Sequence, residues 1–161
     1  MRTDEKQSLF TIRVASELSG VASGTIREYE RQGLLRVYRG PSSRHRLFSA
    51  LEIEWIRQIW RLIHDEGLNV EGIRRLLVIE PCHKIIRCNP QVRSVCPAFR
   101  QEDRPCWAID AMPGCCAGSG RICQSCPVYL RSRQSPMLMP RPKSGPSQME
   151  TGEDKKNGNS L

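Results

Sequence analysis

The chain has 161 residues, of which 39% are hydrophobic and 26% charged, with a formal net charge of +8. That length allows one domain or two small ones, and no stretch reaches the ~18 apolar residues that a membrane span needs. The opening Met-Arg-Thr-Asp-Glu-Lys has no apolar run behind its charges, so no secretory signal is expected and the simplest location is cytoplasmic.

Residues 9–80 read as a mostly helical globular unit. A first helix is predicted from about Ile12 to Leu18 with Thr11 as its N-cap. Gly20 supplies the left-handed residue of a tight turn. A second helix follows Ser23, another N-cap candidate, runs to about Gln32, and ends at Gly33. "LLRVYRGPSSRHRLF" then reads as a short hairpin around Gly-Pro-Ser-Ser. "SALE", Ser49 to Glu52, is a capping box opening a third helix that runs to about Asp65. Gly67 closes it, Asn69 caps a fourth helix, and Pro81 stops that one. Val70, Ile73, Leu76 and Leu77 share one face of the fourth helix.

Two helices joined by a short Gly-containing turn form a helix-turn-helix, and a hairpin after the second makes it winged. On a helical wheel, Ala22, Ile26 and Tyr29 fall on one face of the second helix. That face is expected to pack on the first helix through Val14 and Leu18. Gly24, Arg27, Glu28 and Arg31 fall on the other face, with Thr25 at its edge, free to enter a major groove. Arg36, Arg39, Arg44, His45 and Arg46 add phosphate-binding capacity along the wing. A solvated charged face on a small helical domain would look the same by charge alone.

The stretch from Phe10 to Leu77, above all "TIREYERQGLL", "RHRLFS" and "GLNVEGIRRLL", resembles the MerR family of transcriptional regulators. The resemblance implies a winged helix-turn-helix that binds promoter DNA as a dimer. It also implies that Arg27, Tyr29, Arg44 and Arg46 contact DNA, mostly at phosphates. Many relatives carry an aromatic pair after the arginine of the second helix, where this chain has Glu28 and Tyr29. Glu28 either accepts from a cytosine amino group or pairs with Arg31 or Arg27, and pairing is the preferred reading. Relatives continue into a long dimerising helix. Here Pro81, Pro90, Pro97, Pro105 and Pro113 exclude it, so any homodimer needs a non-standard interface. On the third helix Leu51, Trp55, Ile59 and Leu62 form a core stripe, while Ile53, Ile56, Trp60 and Ile63 widen the apolar face to about 200°. The excess is expected to be covered by the following segment or by a second subunit, unless Trp60 merely packs on the fourth helix.

All eight cysteines lie in the second half of the chain: Cys82, Cys88, Cys96, Cys106, Cys115, Cys116, Cys123 and Cys126. Residues 82–130 show no sustained period and too few apolar residues for their own core, so a staple is expected. In a reducing compartment the staple is metal more often than disulfide. "CPAF" at Cys96 returns as "CPVY" at Cys126, which suggests equivalent places. Residues 88–130 resemble a bacterial Cys-Trp module of sensory and regulatory proteins, with Cys88-Asn89 where the first Cys-Trp would stand. Cys123 and Cys126 are the best ligand pair, with Cys96, Cys106 and one of Cys115 and Cys116 as the next candidates and Cys88 as a further one. Zinc, an iron–sulfur cluster and a disulfide switch all remain open. Cys82 with His83 is either a separate effector site or an ordinary cysteine beside a surface histidine.

The expected architecture is therefore mainly α. A winged helix-turn-helix of four helices plus a hairpin wing occupies 9–80, an irregular cysteine-rich, metal-stapled module 82–130, and a disordered tail 131–161. The expected function is a DNA-binding transcription regulator, with double-stranded promoter DNA as its partner and RNA polymerase engaged indirectly, and no enzymatic activity. An adaptor using the winged domain on a protein partner, or a thiol redox protein using Cys123 and Cys126, are the readings from other classes.

Overall fold

A computed structural model of the chain describes residues 9–39, 44–101, 103–109 and 123–139. Strand β1 (Phe10–Thr11) leads into helix α1 (Ile12–Ser19), and helix α2 spans Ser23–Arg31. Strands β2 (Tyr38–Arg39) and β3 (Arg46–Phe48) make the wing, and helices α3 (Ala50–His64) and α4 (Val70–Leu76) complete the winged unit. The sheet order is β1-β3-β2, all antiparallel, with Phe10 opposite Phe48 and Tyr38 opposite Leu47. The two-residue strand β1 was not predicted, because two residues carry no readable alternation.

Local chemistry sets most boundaries. The Thr11 hydroxyl accepts from the Val14 amide at 3.5 Å, and Gly20 ends α1 at φ 75° with its amide on the Ser16 carbonyl. Ser49 and Glu52 close the predicted capping box at α3, and the Asn69 side chain accepts from Gly72 N at α4. Ser23 is not the N-cap of α2 but its first residue. Ala22 holds the cap position without a side-chain bond. The preceding serines bond within the turn instead, Ser16 Oγ donating to Val21 O and Ser19 Oγ accepting from Val21 N.

α4 ends at Leu76, ahead of Pro81. No long helix follows among the described residues. Short ones take its place: α5 (Cys82–Ile85), α6 (Pro90–Val95), α7 (Pro97–Arg100) and α8 (Pro127–Ser132), with single 3-10 turns at Cys106–Ala108 and Cys123–Ser125. Pro90, Pro97 and Pro127 each stand at a helix start, where the missing amide costs nothing. Prolines that forbid a continuous helix thus begin the short ones.

The core is continuous across both halves. Ile26, Leu34, Phe48, Ile56, Ile59, Leu62 and Ile73 join Trp107, Val128, Tyr129 and Leu138 in one buried cluster. Several sequence expectations shift here. α1 packs through Ala15, fully buried, while Leu18 is 47% exposed, because a small residue lets two helices cross closely. Leu51, in the first turn of α3, is 54% exposed and off the core stripe. Ile53 and Ile56 are buried, but Trp60 is exposed and stacks on His64 with centroids 4.3 Å apart. Packing continues past residue 130: Ser132, Arg133 and Leu138 are buried, Gln58 donates to the Leu138 carbonyl, and Arg133 pairs with Glu52 at 3.5 Å. The expected disordered tail is therefore corrected at its start, where residues 131–139 are ordered, and its remainder lies outside the described residues.

Besides these contacts on α3, the cysteine-rich half docks on the link between α2 and the wing. Gly33 adopts φ 73°, and a Cβ on it would lie 2.4 Å from the Ala108 Cβ. Trp107 donates its indole N–H to the Gly33 carbonyl at 2.9 Å. The Tyr129 hydroxyl accepts from Arg36 N at 2.9 Å and donates to Arg36 O at 3.2 Å. The two rings meet edge to face at 4.8 Å. Burial pushes the Tyr129 phenol up to about 12, so it remains a hydroxyl donor at any ordinary pH.

Candidate nucleic-acid interface

Two faces of α2 separate as its periodicity requires. Ile26 and Tyr29 are buried, while Gly24, Arg27 and Arg31 lie on the open side and Thr25 stands in the first turn. The first-turn amides have no side-chain cap, which leaves them open to an anion. Beside them runs a groove lined by Gly24, Arg27, Arg31, Arg36, Arg39 and Arg46. Arg27, Arg36 and Arg44 have no ion-pair partner among the described residues.

Charge neutralisation within the groove is selective. Glu28 accepts from Arg31 at 2.5 and 2.8 Å and from Gln32 at 2.6 Å. The Gln32 amide, then Arg31, hold its carboxyl below the usual range, so its proton is absent and its oxygens are occupied. Pairing, rather than base contact, is its geometry here. Glu30, which the sequence reading passed over, accepts from Arg39 at 2.9 Å and Arg46 at 2.6 Å. This carboxylate ties the reading helix to the wing and takes Arg46, expected at phosphate, into an internal pair. A carboxylate 9 and 16 residues ahead of the two wing arginines becomes a visible signal only once the hairpin is folded back. Arg44 adopts φ 52° and is exposed with His45 at the wing. Gly40 to Ser43, the wing tip, lie outside the described residues.

Tyr29 departs from the role its resemblance implied. It is 4% exposed, and its hydroxyl is buried with no hydrogen-bond partner among the described residues. Burial raises its phenol. It belongs to the core and not to the contact surface. Tyr29→Phe is therefore expected to leave DNA binding unchanged and stability equal or up to ~1 kcal/mol higher, since the deleted hydroxyl makes no bond among those residues. Urea denaturation with an electrophoretic shift on the same preparation checks both.

Residues 10–78 match the family described as MerR HTH family regulatory protein. This segment is a MerR-family helix-turn-helix domain. Over 76 residues the chain is 41% identical to the putative heat shock protein HspR of Streptomyces coelicolor, covering 47% of this chain and 50% of that protein. Over 71 residues it is 34% identical to the HTH-type transcriptional repressor CarA of Myxococcus xanthus, covering 44% of this chain and 25% of that one. The chain thus spans about half the length of the first relative and a quarter of the second. No solved structure matches significantly. Among the described residues, no helix is long and apolar enough to cross a membrane.

The MerR match stops before the cysteines, whose geometry stands on its own. Cys96 and Cys126 do hold equivalent places. Both are buried, both cap a helix that opens on proline, and their backbone angles nearly coincide at φ −75°, ψ 121° and φ −77°, ψ 126°. The Cys126 amide bonds the Cys123 carbonyl at 2.9 Å, which closes the Cys-x-x-Cys turn. Burial pushes the Cys123 thiol up, and nearby Cys126 adds to the rise. Cys88 and Cys106 are half-buried. Cys115 and Cys116 lie outside the described residues. Among the described residues, no three His, Cys, Asp or Glu side chains are grouped to hold a metal. Cys82 and His83 begin α5, with the His83 ring edge-on to Phe99 at 5.3 Å.

Proposed function

We propose that the protein is a MerR-type transcription regulator that binds promoter DNA through α2 and the wing. The observation that carries this is Arg27. It stands exposed and without an ion-pair partner among the described residues, opposite the buried Ile26 and Tyr29, in a groove rich in arginine. Gly24 and Thr25 face the duplex from the N-terminal turns, while Arg27, Arg31, Arg36, Arg44 and His45 hold phosphates. Two copies act together, because paired half-sites one turn apart multiply the limited affinity of a single short helix. RNA polymerase is an indirect partner through the shared promoter, and the protein works in the cytoplasm.

The cysteine-rich half is the regulatory element in this reading. Cys123 and Cys126, with Cys96, Cys106, one of Cys115 and Cys116, and Cys88 as further candidates, are the thiols from which zinc or an iron–sulfur cluster would draw its ligands, and binding would have to bring them together, since no three are grouped among the described residues. Support comes from the docking contacts. Cys126 caps α8, and one turn on Tyr129 grips the backbone of Arg36, at the base of the wing. A change at Cys126 has only one helical turn to travel. Anaerobic purification with elemental analysis and an absorption spectrum separates zinc, cluster and metal-free protein.

Selection from a random duplex library at low salt tests the DNA reading, and enrichment of a sequence is expected. No enrichment would favour the adaptor reading. On the selected duplex, Arg27→Ala is expected to weaken binding. It should also make log K less steep against log salt, by about 0.9 for each phosphate that Arg27 neutralises. An unchanged slope would remove Arg27 from the phosphate set.

A further inference from the structure

The seam between α4 and the cysteine-rich half forms an open-mouthed cavity of about 210 Å³. Its lining is mainly apolar and includes Leu77, Ile79, Phe99, Trp107 and Val128. A dry apolar cavity of ~150 Å³ already accepts benzene, so this one has room for a ring and a substituent. Two fully charged side chains line it. Glu80 is committed to Arg131 at 2.7 Å. Arg104 is exposed and has no hydrogen-bond or ion-pair partner among the described residues. An unpaired guanidinium at the edge of an apolar chamber selects an anion whose body is apolar, and its fork matches a carboxylate in two parallel bonds.

We propose that this cavity binds a small one-ring aromatic carboxylate, with the ring between Phe99 and Trp107 and the carboxylate on Arg104. A neutral aromatic would leave the guanidinium unpaired, and a cation would meet it as a like charge. The site has a direct contact with the end of the reading helix, because the same Trp107 indole donates to the Gly33 carbonyl. Its occupancy is measurable without DNA, so the proposal stands or falls separately from the promoter reading.

The probes are benzoate and benzyl alcohol, which share a ring and differ in charge. The chain has three tryptophans, and in the ¹⁵N-labelled full chain the Trp107 indole signal is assigned through Trp107→Phe. Benzoate is expected to shift that signal saturably, with a dissociation constant on the order of 1 mM for so small a ligand. The exposed Trp60 should not move. Benzyl alcohol is expected to bind about tenfold more weakly, and Arg104→Gln should bring the two within about twofold. Arg104 is exposed, so this variant does not threaten the fold. No saturable shift with either probe overturns the site. A preference for benzoate that survives Arg104→Gln overturns the assigned ligand class.

Discussion

Trp107→Ala is expected to lower the unfolding free energy by about 3–5 kcal/mol, the range for emptying a buried aromatic site. Trp107 is 7% exposed and sits in the same core cluster as Leu34 and Ile59. The substitution removes three things at once: the packing of the indole, the bond to Gly33 O, and the edge contact with Tyr129. Because the core is continuous, the cost falls on the whole chain and not on the cysteine-rich half alone. Trp107→Phe keeps most of the packing but not the hydrogen bond, so a smaller drop of about 1–3 kcal/mol is expected. Urea denaturation followed by far-UV circular dichroism gives both values. An unchanged midpoint for the alanine variant would mean that the cysteine-rich half does not dock at Gly33.

Arg133→Met is expected to cost about 3 kcal/mol, at the lower end for breaking a buried ion pair from one side. The side chains of Arg133 and Glu52 are 7% and 3% exposed. Arg133 also lies over the Tyr129 ring at 4.2 Å and donates to the Tyr129 carbonyl at 3.2 Å. Glu52 meanwhile accepts from Ser49, so its carboxylate serves both the helix cap and the C-terminal segment. Removing the arginine leaves a buried carboxylate half satisfied. Glu52→Gln in the same chain should recover part of the stability, and the double-mutant cycle should give a coupling of at least about 0.5 kcal/mol. Strict additivity would show that the pair contributes nothing to seating residues 127–139 on α3.

These long-range pairings mark the limit of what the sequence made legible. The caps at Thr11, Ser49 and Asn69 and the left-handed Gly20, Gly33 and Gly67 were readable because each acts within a turn of itself. The open face of α2 was readable from a period of 3.6. Tyr29 was assigned two roles because wheel position and resemblance disagreed, and burial settles it in favour of the core. The bonds of Trp107 to Gly33 and of Tyr129 to Arg36 span 74 and 93 residues, so no local pattern announces them. Glu30 looked like an ordinary helix charge until the wing folded back on it. Leu138, fully buried, sits alone in a Pro- and Met-rich stretch whose composition suggests no packing.

Gly24 provides the most direct test that α2 enters DNA. It lies on the open face, and a Cβ placed there meets no atom within 4 Å. A photo-reactive p-benzoylphenylalanine at Gly24 can therefore report contact without disturbing the core. A matched probe at Leu51, exposed on α3 and outside the groove, serves as control. On the selected duplex, the probe at Gly24 is expected to crosslink to DNA and the probe at Leu51 is not. Crosslinking from Leu51 with none from Gly24 would contradict the account.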